Sequence, residues 1–107
     1  MNKQKKFDPG ARSKPQYIFK LYIADDEQNS LVSVENLQCI CNEYLKGRCL
    51  IEQVDVLQDF AAALKDRVFV TPTLVMEAPG PRAIIVGNLA NKETVISTLR
   101  LRNIDGK

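Results

Sequence analysis

From Tyr17 to Ala24 the chain is almost continuously apolar, rich in aromatic and β-branched side chains and interrupted only by Lys20. A run without polar alternation is the pattern of a strand covered on both faces, and it predicts a central place in a sheet. The period then lengthens. Val34, Leu37, Cys41, Tyr44 and Leu45 recur at spacings of three and four, drawing one apolar stripe along a helix. Asn29 or Ser30 is placed to cap that helix, because their side-chain oxygens accept from the first free backbone N–H groups. Gly47 would end it in a left-handed turn. Leu50 to Val56 reads as a second strand, and the strand–helix–strand passage implies parallel, right-handed pairing.

Further along, Gln58 to Lys65 around Ala61-Ala62-Ala63 reads as a short helix, and residues 66–71 as the approach to Pro72. Thr73 to Glu77 and Arg82 to Gly87 read as two strands of an antiparallel hairpin, joined across the turn-rich Ala78-Pro79-Gly80-Pro81. Asn91 then caps a last helix with Val95, Ile96 and Leu99 facing inward and Glu93 in its first turn. The order is β-α-β-α-β-β-α: an α/β domain with a mixed four-stranded sheet and helices on both faces.

Composition sharpens the outline. A chain of 107 residues, 45% hydrophobic and 26% charged, can bury one core and leaves no room for a second domain. Residues 1–16 are polar and broken by Pro9-Gly10 and Pro15, so they predict a flexible basic tail ahead of a domain spanning 17–103 and a short tail at 104–107. That first tail holds Lys3, Lys5, Lys6, Arg12 and Lys14 against Asp8 alone, more than the whole chain's surplus of +2, so the body is weakly acidic. An acidic body argues against a nucleic-acid groove, which needs Lys and Arg to neutralise phosphates. No apolar run reaches membrane-spanning length and the basic start lacks a signal-like apolar stretch, so the expectation is a cytoplasmic protein with neither membrane nor nucleic-acid partner.

There is no histidine, which excludes Ser–His and Cys–His nucleophile systems and removes the commonest metal ligand. Cys39, Cys41 and Cys49 match no zinc spacing, and three free thiols suit a reducing compartment. Cys39 and Cys41 stand about 200° apart around a helix axis and should not bridge each other. Cys41 falls on the apolar stripe, Cys39 should face outward, and Cys49 begins the second strand. The acidic Asp25-Asp26-Glu27 cluster is better explained as a solvated loop before a helix N-terminus than as a metal site, and no Gly-rich phosphate loop exists. No cofactor is expected.

Val70-Thr71-Pro72-Thr73-Leu74, lying between the second strand and the hairpin, resembles the cis-proline loop of a thioredoxin-like domain. Thioredoxins pair that loop with Cys-x-x-Cys after the first strand. Here the matching segment is Ala24-Asp25-Asp26-Glu27-Gln28-Asn29-Ser30, without a cysteine. The resemblance therefore implies a redox scaffold without its redox centre. The rival expectation is a thioredoxin-like oxidoreductase or redox-stress protein that uses Cys39, Cys41 or Cys49.

A narrower likeness rests on Lys20-Leu21-Tyr22-Ile23-Ala24, Asn29-Ser30, Val54-Asp55-Val56-Leu57, Thr71-Pro72-Thr73-Leu74 and Ile84-Ile85-Val86-Gly87-Asn88-Leu89. These five segments, in this order, resemble the KaiB family of circadian clock proteins. The resemblance implies a non-enzymatic regulator that docks on a KaiC-type ATPase/kinase, a homo-oligomeric form, and a capacity to switch between a thioredoxin-like fold and one in which the second half is refolded. The chain departs from the family pattern at Asn88, where Gly-Asp becomes Gly87-Asn88, and at Thr98 and Arg100, where Gly and Asp are usual. It also lacks the family's acidic C-terminal tail. Thr98 and Arg100 are better helix formers than the residues they replace, which biases the chain towards the thioredoxin-like fold, and the departures taken together point to a role in stress or signalling rather than in a full clock.

Overall fold

β1 (Tyr17–Ile23) takes an inner position in a four-stranded sheet whose order is β2-β1-β3-β4. The computed structural model describes residues 17–24, 27–46 and 48–101; the expectations for the two tails, Asp25, Asp26 and Gly47 lie outside them. β2 (Cys49–Asp55) runs parallel to β1, with Tyr17 opposite Cys49 and Ile23 opposite Asp55. β3 (Thr73–Ala78) pairs antiparallel on the other side of β1, and β4 (Ala83–Val86) closes the hairpin as the edge strand. Connecting them are α1 (Gln28–Tyr44), α2 (Phe60–Lys65) and α3 (Lys92–Leu99).

The period-two geometry of a strand divides β1 between two cores. Phe19 and Leu21 face one side, where Leu37, Ile40 and Cys41 of α1, Val95 and Leu99 of α3, and Leu74 and Met76 of β3 pack on them. Tyr22 faces the other side with Val54, Ala63, Val68 and Val75. Helices thus cover both faces, unequally: α1 and α3 cover the first, and the six-residue α2 alone covers the second. In the first core a Leu37→Ala change should cost about 2–5 kcal/mol, the range for a buried leucine whose cavity cannot collapse.

Several boundaries differ from expectation for local reasons. α1 is capped by Glu27 rather than by Asn29 or Ser30, because the Glu27 carboxylate reaches the backbone N–H groups of both. Among the described residues, Lys46 is left-handed after α1, at φ 52°. Val34 and Tyr44 are only partly buried, while Ile40 and the polar Ser30 and Ser33 take the innermost positions on α1. β2 begins one residue early, at Cys49, and α2 two residues late, because Asp59 caps it by accepting from the Ala62 N–H. Asn91 caps α3 as expected, accepting from Thr94 N–H at 3.1 Å.

Arg100 is not part of the last helix. It adopts φ 55°, ψ 42° as the left-handed cap, so its helix propensity has no bearing on α3, whereas Thr98 does lie inside the helix.

Candidate protein-interaction site

Three chain segments meet at the C-terminal end of β1. Between Ala24 and the start of α1 the chain is fastened by side chains. Ala24 N–H donates to Ser30 Oγ at 3.0 Å, and Ser30 Oγ donates to Glu27 Oε1 at 3.0 Å. Glu27 Oε1 and Oε2 accept from Ser30 N–H at 3.2 Å and Asn29 N–H at 3.3 Å. A carboxylate suits this place because the free N–H groups and the helix dipole both favour negative charge. The turn that carries two thiols in a redox thioredoxin is here a closed capping network, with Ser30 fully buried beneath it.

The second segment is the proline loop. Thr71–Pro72 is a cis bond, Pro72 and Thr73 are buried, and Thr73 Oγ donates to Val70 O at 2.8 Å. Pro72 has no N–H to offer, but its carbonyl accepts from Gly87 N–H at 2.9 Å, which ties the loop to the third segment. Gly87 sits at φ 119°, a backbone region in which an L side chain is strained, so the position demands glycine although space for a Cβ is open.

Asn88 then links that segment to α1. Its Nδ2 donates to Asn29 Oδ1 at 3.2 Å, its Oδ1 accepts from Ala90 N–H at 3.0 Å, and its carbonyl accepts from Asn36 Nδ2 at 2.9 Å. An amide can donate to Asn29 as an aspartate could not, which gives the Gly87-Asn88 departure a structural sense.

Around this braced end the surface is apolar. Phe69 and Val70 lead into the loop with 77% and 52% of their surface exposed. Leu57, Phe60 and Leu64 stand out from α2 and the turn before it, and Ile84 and Val86 stand out from β4. Ile84 and Val86 pair with Val75 and Thr73, which puts them on the face covered by α2, beyond its short reach. The pattern of apolar positions could not separate these side chains from core. They are exposed because one six-residue helix cannot cover four strands.

Asp66, at the end of α2, anchors this face. It accepts from Tyr22 O–H, pairs with Arg82 at 3.0 Å and with Lys20 at 3.6 Å, and so joins α2 to β1 and to the start of the hairpin's second strand. Burial works to raise its pKa, but the Tyr22 hydrogen bond and the two cations outweigh it and hold the carboxyl below its usual range. Burial first, and then Asp66, push the Tyr22 hydroxyl well above the usual tyrosine range.

The thiols are elsewhere. Cys39 is exposed on α1, Cys41 is buried, Cys49 is half-buried at the start of β2, and all three are free. Cys39 and Cys41 point apart as the helix geometry requires. Among the described residues no group of three or more His, Cys, Asp or Glu side chains converges to hold a metal ion, and no helix is long and apolar enough to cross a membrane.

A four-stranded mixed sheet in the order β2-β1-β3-β4, with helices on both faces and a proline loop ahead of β3, defines a member of the thioredoxin-like class. Solved structures agree on the fold. The N-terminal domain of Synechococcus elongatus SasA superimposes with a TM-score of 0.67 at 19% identity, covering 89% of this chain and 92% of that one. Fasciola hepatica thioredoxin gives 0.65 at 20% identity, covering 83% and 84%.

Sequence comparison is more specific. The KaiB domain model matches residues 20–101. The circadian clock oscillator protein KaiB of Thermostichus vulcanus is 35% identical over 85 residues, 79% of either chain, and that of Microcystis aeruginosa is 34% identical over 88 residues, 82% of this chain and 85% of its own. The chain belongs to the KaiB family. With that family it is a clock-related, non-enzymatic regulator, and the oxidoreductase alternative falls.

Proposed function

We propose that this chain regulates a KaiC-type ATPase/kinase by docking on it through the braced end of the sheet, without chemistry of its own. One observation carries the reading: Phe69 and Val70 stand exposed beside the buried Pro72, next to a start of α1 that Glu27 and Ser30 brace. Exposed aromatic side chains on a rigid frame are the residues that dominate protein–protein binding energies. The internal ties Gly87–Pro72 and Asn88–Asn29 supply that frame. Family membership supports a KaiC-type partner, and the departures at Asn88 and Thr98 favour a setting in stress or signalling over a full circadian clock. The protein acts in the cytoplasm, where such a partner would be found.

Titration of the KaiC-type ATPase encoded in the same genome, followed by calorimetry and by its ATPase rate, tests the reading. Phe69→Ala should weaken binding at least tenfold, about 1.4 kcal/mol, while Cys39→Ser leaves it unchanged. Equal affinity of Phe69→Ala and the wild type would move the interface elsewhere. No binding in either nucleotide state of the ATPase would remove the partner.

A further inference from the structure

We infer that β4 is a docking edge for a second copy of this chain, the two β4 strands pairing antiparallel about a two-fold axis at Ile85. β4 is bonded on one side alone, to β3. Gly87 N–H donates to Pro72 O at 2.9 Å, which makes Pro72 and Gly87 a bonded pair at the end of that ladder. Bonded and non-bonded pairs alternate in an antiparallel ladder, so Leu74–Ile85 and Met76–Ala83 are bonded as well. Ile84 and Val86 therefore turn their N–H and C=O groups away from β3, towards the open edge. The same two residues expose 45% and 63% of their surface. Backbone and side chains together offer a template for one more strand.

Charge identifies that strand. No charged residue stands between Arg82 and Lys92, so β4 laid antiparallel on its own copy brings no like charges opposite each other. With Ile85 on the axis, Ile84 falls opposite Val86 of the second copy and Val86 opposite its Ile84. Each of these pairs exchanges both N–H···O bonds and joins apolar side chains on the α2 face. The other edge of the sheet is guarded: β2 exposes Glu52 and Gln53 and ends on Asp55. One open edge per chain, used up by the pairing, gives a closed dimer rather than a fibre. An edge of four residues buries less than the roughly 1,200 Å² of a standard interface, so the dimer exchanges readily and fills only at high concentration. It involves neither Phe69 nor a KaiC-type partner and stands apart from the docking proposed above.

The test is sedimentation velocity of the reduced full-length chain from about 10 µM to about 1 mM, the range in which a small interface fills. Amide hydrogen exchange is read at both ends of that range. The expected result is a mass that rises from one chain towards two and no further, with exchange slowed at the Ile84 and Val86 N–H groups beyond any change at Ile85, whose N–H is already bonded to Leu74. Val86→Lys should weaken the dimer about tenfold, because a two-fold contact feels each substitution twice. Combining it with Ile84→Glu should restore association, since the opposite charges then face each other in this register alone. Glu52→Lys, at the far edge, should leave association unchanged. A chain that stays monomeric throughout, assembly beyond the dimer, or a dimer that Val86→Lys leaves intact overturns the inference. A double variant no stronger than Val86→Lys overturns the register.

Discussion

Arg67 and Arg100 hold backbone conformations usually given to glycine, at φ 59° and φ 55°. Each follows a helix, and the hydrogen bonds around each are those of a Schellman ending: Val68 N–H to Ala63 O at 2.8 Å after α2, and Leu101 N–H to Ile96 O at 3.0 Å after α3. The next residue is buried in both cases, Val68 in one core and Leu101 in the other. A left-handed L-residue costs about 1 kcal/mol that glycine avoids. Arg100→Gly should therefore be more stable than Arg100→Ala by about 1 kcal/mol in urea unfolding, the alanine control removing the same charge. Equal midpoints would show that the cap relaxes. Asp66 gives a second measurable effect. Its depressed carboxyl contributes stability that is complete above the unfolded value of about 3.9 and is lost as pH falls through the folded value. Tyr22, raised, contributes stability that is complete below about 10 and is lost at higher pH. Asp66→Asn should flatten the acid limb of a stability–pH curve and cost about 1–3 kcal/mol at neutral pH, since it strips Tyr22, Lys20 and Arg82 of a shared acceptor. An unchanged acid limb would assign that limb to other carboxylates.

Among the elements, the strands and helices were legible because their signals are local. The unalternated run of β1 marks a strand buried on both faces, and the stripe through Leu37 and Cys41 marks one face of α1. The capping of α1 was less legible. Glutamate is not among the favoured cap residues, so only the structure reveals that Glu27 outcompetes Asn29 and Ser30 by serving both of their N–H groups. Ser30 and Ser33 are polar and yet buried, because Ala24 N–H and the Ser30 carbonyl give their hydroxyls partners. Ser30→Ala should consequently destabilise the fold by about 1–3 kcal/mol, leaving the Ala24 N–H unpaired and Glu27 Oε1 with only the backbone N–H of residue 30. A change within a few tenths, measured by thermal unfolding, would show that water replaces the hydroxyl. The end of α2 at Lys65 was legible, but the left-handed residues that follow α2 and α3 were not, because a search for glycine passes over an arginine in the same conformation.

For the molecule as a whole, the fold was readable and the exposed apolar surface was not. Whether Phe69, Ile84 or Val86 lies inside or outside depends on the reach of α2 across the sheet, a three-dimensional matter that no local pattern encodes. The missing thiols after β1 were legible, and they carry a plain expectation: no insulin-reductase activity above the reductant-only control. A real rate that disappears when all three cysteines are replaced would overturn it.

The division of β1 between two cores has a consequence for how the protein breathes. A strand whose alternate side chains anchor opposite layers cannot be released by loosening either layer alone, so opening of α2 should leave the ladder between β1 and its neighbours intact. In deuterium exchange, the β1 amides from Phe19 to Tyr22 should be the last to exchange, at a rate set by global unfolding, while the outer amides of β4 exchange early through local opening.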